Sequence, residues 1–459
     1  MKQNKLFLYL IVTAVLVAAV IVFFLIFFQK KDSVQRFADL MDKEGIEKPN
    51  IILITLDTTR ADHLPCYGYP GVKTPYLDAL AREGIVFEQC TTSSPLTLPS
   101  HTSIMTGLYP TYHGVRVNAN TAVSQKHLTL AELFTRQGYQ CGAFIASFVL
   151  DGRWGLKQGF HHYDDQFELE KYQGLNLAMI QRPGNEVIDA ALSWLDDQSS
   201  SSFFAWIHLY DPHTPYEPPE PYLTEYNTGQ FGLYDGEIAF MDEQIGRVVS
   251  WLREKGLTGK TLIVLIGDHG EGLGDHGEWE HGYFIYDYAV QVPFLIVTPF
   301  REFQGKRVSS QVRTVDLYPT LLEMAGVEVP EENQGESLLD IFFHPDKSME
   351  SYAYCESLTP NIHYNWSPLH GLKTPRYKYI AAPRAELYDL EKDPDERHNL
   401  AEDPAYQDAL AELSGQLDAY FQKYSDPKWD LWHGGTVKSN STRPFLWREI
   451  WGDDWKPGF

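Results

Sequence analysis

Three apolar runs, each closed by an aspartate, constrain the fold of this chain more than any other feature. Ile51–Leu56 leads into Asp57, Phe203–Tyr210 into Asp211, and Leu262–Ile266 into Gly267 and Asp268. Runs without polar alternation suit strands covered on both faces. Helical patterns lie between them. Thr74 and Pro75 open one that Gly84 closes, and another spans Glu186 to Leu195. Strands alternating with helices predict an α/β/α sandwich. In open α/β sheets, ligands sit beyond the carboxyl ends of the strands. Asp57, Asp211 and Asp268 are thus placed to converge on one cation, although aspartate is also an ordinary turn residue after a strand.

The chain has 459 residues and a formal net charge of -24, which argues against nucleic-acid binding. Leu6 to Phe28 is an unbroken apolar run, and about 20 such residues cross a bilayer. Bulky Phe23–Phe28 replaces the small residues of a cleavage site, so 6–28 reads as an uncleaved anchor. Residues 29–48 read as a polar tether. Lysines flank the span on both sides, so charge sets orientation only weakly, and an extracytoplasmic catalytic domain is the expectation. Cys66, Cys90, Cys141 and Cys355 have no metal-ligand spacing. A catalytic domain is expected over 49–345. A module of short β pieces and a helix follows over 346–425, and an aromatic-rich tail over 426–459.

Two motifs carry chemistry. The first is Ser93-Ser94-Pro95-Leu96-Thr97-Leu98-Pro99-Ser100-His101, continuing to Thr106-Gly107. The second, Asp268 to Gly282, packs carboxylates, imidazoles and glycines into one stretch after a strand. Asp and His are common divalent-metal ligands, and glycines let backbone approach an ion. Together with Pro49–Asp57, Tyr109–Val115, Tyr210–Tyr216, Tyr377–Ile380 and Glu386–Leu390, these motifs resemble the sulfatase family of the alkaline phosphatase superfamily. The resemblance covers about residues 49–402. It implies an alkaline-phosphatase-like sandwich with a small C-terminal antiparallel module, a metal-dependent ester hydrolase, and a nucleophile at Thr97.

The departures from that family matter as much. Thr97 stands where the family has the Cys or Ser that becomes formylglycine, and His101 where it has Arg. Thr58 replaces a second Asp, His269 an Asn, and His281 a sulfate-binding Lys. The family's Gly-Lys-Trp-His-Leu-Gly element falls near Ile145–Leu150, without its Lys and His. This set is similar to that of the phosphoethanolamine and phosphoglycerol transferases of the superfamily. Threonine has a secondary carbinol and cannot become an aldehyde, so a formylglycine hydrate is excluded. A covalent Thr97 ester released by water or an acceptor suits phosphorus.

The resemblance implies one metal held by Asp57, Thr97, Asp268 and His269. An imidazole in the set favours Zn²⁺ or Mn²⁺ over Ca²⁺. His213 and His281 are expected to bind non-bridging oxygens or protonate the leaving group. Ser100 is read as a cap for a helix starting there. Arg60, Asp62, Arg116, His101, His208 and His276 are candidates for orienting ligands or for packing. The leading reading is a membrane-anchored, metal-dependent hydrolase or transferase acting on a phosphate ester or diester of a small molecule, lipid or glycan. Two alternatives stay open: a sulfuric ester hydrolase with a non-formylglycine site, and an inactive binder of anionic glycans.

Overall fold

A computed structural model describes residues 32–168, 179–349 and 352–425. The proposed anchor over 6–28 and the aromatic tail over 426–459 lie outside the described residues. Among the described residues, no helix is long and apolar enough to cross a membrane.

The three apolar runs are the centre of one mixed sheet. β1 (Asn50–Leu56) lies between β5 (Phe203–Leu209) and β6 (Thr261–Gly267), parallel to both. With β2 (Ile85–Thr91), β3 (Gln140–Phe144), β4 (His162–Asp164), β7 (Gln291–Val297) and β8 (Lys306–Arg313), the order is β4-β3-β5-β1-β6-β7-β2-β8. β7 runs antiparallel to β6 and β2, which makes the sheet mixed. Every residue of β1, β5 and β6 is buried. Successive side chains point to opposite faces. Leu53, Phe204, Trp206 and Val264 therefore enter one core, and Ile52, Ile54, Ala205, Ile207 and Leu265 the other.

Helices cover both faces, as expected. Pro75–Glu83 begins after Thr74 and ends at Gly84, and Gly184–Gln198 covers the second predicted pattern. The long helix Gly232–Glu254 packs against both. A second sheet, β12 (Glu386–Asp389), β11 (Tyr377–Ala381), β10 (Leu369–Lys373) and β9 (Ala353–Ser357), is antiparallel throughout and packs on the helix Gln407–Tyr424.

Ionic contacts join the two sheets. Arg116 and Glu356, both buried, form a forked pair, and Tyr354 Oη donates to Glu356 Oε2 over 2.6 Å. Lys373 Nζ donates to Asp287 Oδ2 over 2.6 Å, and Lys378 Nζ to Asp287 Oδ1 over 3.0 Å. Arg116 is therefore a strut between modules.

One expectation is corrected here. Residues 32–43 form a helix, not a loose tether. Phe37 and Met41 enter the core, with Phe37 edge-on to Phe300, and Ser33 Oγ donates to Asp340 over 3.0 Å. Charged residues on its outward face hide that apolar stripe in a composition count.

Candidate active site

The site is built where β1 and β6 end side by side. Their register pairs Leu56 with Gly267, so Asp57 and Asp268 follow as neighbours. Asp211 does not join them. Leu56 pairs with Leu209 on β5, so Asp57 is level with Tyr210 and Asp211 falls one residue out of phase. It faces the other side of the sheet, where its Oδ1 accepts from the Gly184 N–H over 2.8 Å. Burial pushes its carboxyl up to about 6. The expected convergence of three strand-end carboxylates thus reduces to two, with Asp211 anchoring a helix start.

Thr97 reaches the same point from the other side. It opens the helix Thr97–Thr106, so the helix starts three residues before Ser100. Ser100 does not cap it. Its Oγ instead donates to the Asp268 carbonyl over 2.8 Å, which ties the helix to the end of β6. The helix closes at Gly107, whose φ is +67°. A Cβ there would lie 2.6 Å from Asn333 Oδ1, so this turn requires glycine. Thr97 therefore sits at the positive end of that helix.

Asp57, Asp268 and His269 are fully buried and offer ligand atoms all within 4.8 Å of one another. Thr97 Oγ1 lies 3.2 Å from His269 Nε2. His269 Nδ1 donates to the Gly270 carbonyl over 3.0 Å, which leaves the Nε2 lone pair facing the two carboxylates. Asp57 Oδ1 and Asp268 Oδ2 are buried without a hydrogen-bond donor. Burial raises the Asp268 carboxyl well above its usual range, with the Asp57 charge adding to it. Burial also pushes Asp57 up, but the hydrogen bond from His208 and the nearby His269 outweigh it and hold that carboxyl low. Two orphaned carboxylate oxygens, an imidazole lone pair and a hydroxyl at one buried point fit a divalent cation.

The surrounding histidines have distinct places. His208 Nδ1 accepts from the Ala146 N–H, so Nε2 donates to Asp57 Oδ2 over 3.2 Å. His101 Nδ1 lies 2.8 Å from the Thr97 carbonyl and 3.4 Å from Asp268 Oδ2. Burial pushes His101 down to about 3, so it is neutral. His208 thus steadies the Asp57 carboxylate, while His101 is tied to the Thr97 carbonyl. His213 Nδ1 donates to the Thr214 carbonyl over 2.6 Å, and its ring stacks on Tyr210. The His281 ring lies 4.3 Å from that of His269 and 5.1 Å from that of His213. His281 Nδ1 donates to Glu271 Oε1 over 3.1 Å. Burial disfavours its charge, but the Glu271 carboxylate pushes it up to about 8, so it carries a proton at neutral pH.

Sequence reasoning missed Glu271. It lies inside the second motif and is fully buried, and its only signal was a carboxylate beside glycines. Arg60, Asp62 and His276 do not reach the cluster. Arg60 binds Asp62, Asp275 and the Glu271 carbonyl, which braces the loop after β6. His276 stacks on Tyr286 and meets the Asp395 carbonyl. Thr58, at the place of a second acid, has φ +49° and donates to the Pro212 carbonyl.

Residues 49–327 match the Sulfatase family model, and residues 274–423 match the model for the C-terminal part of N-sulphoglucosamine sulphohydrolase. The chain is 26% identical over 473 residues to an ulvan-active sulfatase of Formosa agariphila, covering 93% of this chain and 91% of that protein. It is 27% identical to an arylsulfatase of Clostridium perfringens, covering 81% and 96%. The fold is also similar to that of a phosphonate monoester hydrolase of Agrobacterium radiobacter, with a TM-score of 0.70 and 22% identity over 82% of this chain and 96% of that one.

Proposed function

The chain belongs to the sulfatase family of the alkaline phosphatase superfamily, and on that premise we propose that it cleaves a phosphate ester or diester with Thr97 as nucleophile. Membership makes it an enzyme acting on sulfuric or phosphoric esters. The observation that carries the finer reading is the Thr97 hydroxyl, 3.2 Å from His269 and beside Asp57 Oδ1 and Asp268 Oδ2, which are left without donors.

Members of this family depend on a metal, usually Ca²⁺. Asp57, Thr97, Asp268 and His269 would hold it here, and the imidazole favours Zn²⁺ or Mn²⁺. When bound, the ion supplies positive charge that lowers the pKa of a hydroxyl in its shell. The chain's own groups do the rest. Thr97 Oγ1, held as the alkoxide after releasing its proton to solvent, attacks phosphorus, so the Oγ1–P bond forms as the bond to the leaving oxygen breaks; the second step regenerates the same alkoxide. His281 gives its proton to that oxygen. His213, whose Nδ1 is engaged by the Thr214 carbonyl, donates from Nε2 to the non-bridging oxygens in its imidazolium form. Water or an acceptor hydroxyl then attacks phosphorus, gives its proton to His281, and frees Thr97. Thr97 cannot become formylglycine, so release does not proceed through an aldehyde hydrate.

The alternative is a sulfuric ester hydrolase working from the same Thr97 site. The sulfatase names of its relatives favour that substrate. The two readings separate in one screen. Purified protein loaded with Zn²⁺, Mn²⁺ or Ca²⁺ is assayed on matched phosphate monoester, phosphate diester and sulfate ester. The proposal expects phosphorus substrates to be preferred, and preference for the sulfate ester supports the alternative.

The sequence further supports placement by the 6–28 anchor, with the catalytic domain outside the cytoplasm. Reporter fusions after residue 31 are expected to signal export, and a cytoplasmic signal would overturn that placement.

A further inference from the structure

In the loop after β6, His281 meets His269. Glu278, Trp279, Tyr283 and Phe284 of the same loop line an open cavity of about 550 Å³ together with Pro360 and Trp366. The cavity adjoins the site through this loop, since Glu280 and Tyr283, on either side of His281 and Gly282, both line it. Gly282, next to His281, approaches Leu96 so closely that a Cβ would lie 2.9 Å from its side chain, and Leu96 precedes Thr97. The Gly282 carbonyl accepts from Ser357 Oγ, which ties the loop to the C-terminal sheet.

The lining has one chemical character. Trp279 and Trp366 are 68% and 64% exposed, far more than an indole at rest against solvent favours. Among the described lining residues there is no Lys or Arg. The charged groups are Glu278, fixed by Tyr288 Oη and the Tyr283 N–H, and Glu280, which is exposed. A wall of aromatics with two carboxylates repels a polyanion. Its size falls within the usual range for small-ligand pockets.

We propose that this cavity receives the leaving group of the ester, and that it selects an uncharged group with a flat apolar face over a polyanionic glycan. This rests on the ester-hydrolase reading above. Two sources share that chemistry, an aryl ring and the C–H face of a neutral pyranose, and Trp279 and Trp366 would stack on either.

The test compares ratios. In the metal-loaded full chain, kcat/KM is measured for a phenyl ester, a neutral pyranoside ester and a methyl ester of the same acid. The double variant Trp279→Ala Trp366→Ala should lower the phenyl-to-methyl or pyranoside-to-methyl ratio about tenfold, and the arm that falls identifies the source. Glu280→Lys should raise the rate on a carboxylated phenyl ester relative to the neutral one. Calorimetry with phenylphosphonate and methylphosphonate gives a readout that needs no turnover. Wild type should bind the phenyl compound more tightly, and the double variant should lose that advantage. Unchanged ratios in both arms, or equal binding of the two phosphonates by wild type, would overturn the cavity's role. If no ester is turned over yet the phosphonates differ as expected, the reaction assignment fails and the cavity stands.

Discussion

At the scale of single residues, Thr97 and its neighbours divide into groups that touch the reacting point and groups that hold others in place. Thr97→Ala should remove turnover by several orders of magnitude, while Thr97→Ser keeps a measurable part because a hydroxyl remains. Steady-state kinetics on one phosphate ester checks both. Asp268→Ala His269→Ala should abolish metal retention, read by elemental analysis of purified protein, where wild type is expected to carry about one ion per chain. Full retention of metal and activity would contradict the ligand set. The places of Thr97, Asp57, Asp268 and His269 were legible because each follows a recognisable strand or opens a motif. Asp211 misled, since a run of apolar residues shows where a strand ends but not its phase against β1. Glu271, His101 and His208 were harder to read. Their importance lies in what they touch across the sheet, and sequence spacing carries no such information.

At the scale of elements, β1, β5 and β6 could be read directly because burial on both faces leaves unbroken apolar runs. β4 has three residues and β8 reads KRVSSQVR, with only two apolar residues in eight, so neither announces itself in the same way. The helix over 32–43 was lost among its charges. Asp242 illustrates a contact no local pattern reveals. It lies on the helix Gly232–Glu254, yet its carboxylate accepts from the Leu77 N–H over 2.7 Å and the Tyr76 N–H over 3.1 Å, capping the helix Pro75–Glu83. Burial pushes this carboxyl up to about 7. The folded value lies above the unfolded one, so its contribution is fully present below about pH 4 and declines as pH rises to about 7. Asp242→Ala should destabilise by about 1–3 kcal/mol through the two donors left bare. The loss should be greater at pH 5 than at pH 8 in denaturant midpoints, and an equal loss at both would contradict the assignment.

At the scale of the whole molecule, the catalytic sheet and the small sheet are held together by buried charge. Lys378 is fully buried between Asp287 and Glu396, each at 3.0 Å. Lys378→Met should cost about 3 kcal/mol, because it strips a partner from the buried Glu396 carboxylate and from the half-buried Asp287, which keeps Lys373. Urea unfolding checks that, and a change within error would mean the lock is dispensable. A chain shortened to begin at Lys30 should keep its stability. Removing everything before Pro49 should lower the melting temperature, since Phe37 leaves Phe300 and Phe303 uncovered. The central claim is that phosphorus passes through Thr97. The direct measurement is mass spectrometry of wild-type protein stopped during turnover of a phosphate ester. The account predicts a phosphorylated or phospho-substituted peptide containing Thr97, absent from Thr97→Ala. No such peptide, together with sulfate esters turned over much faster than matched phosphate esters, would contradict it.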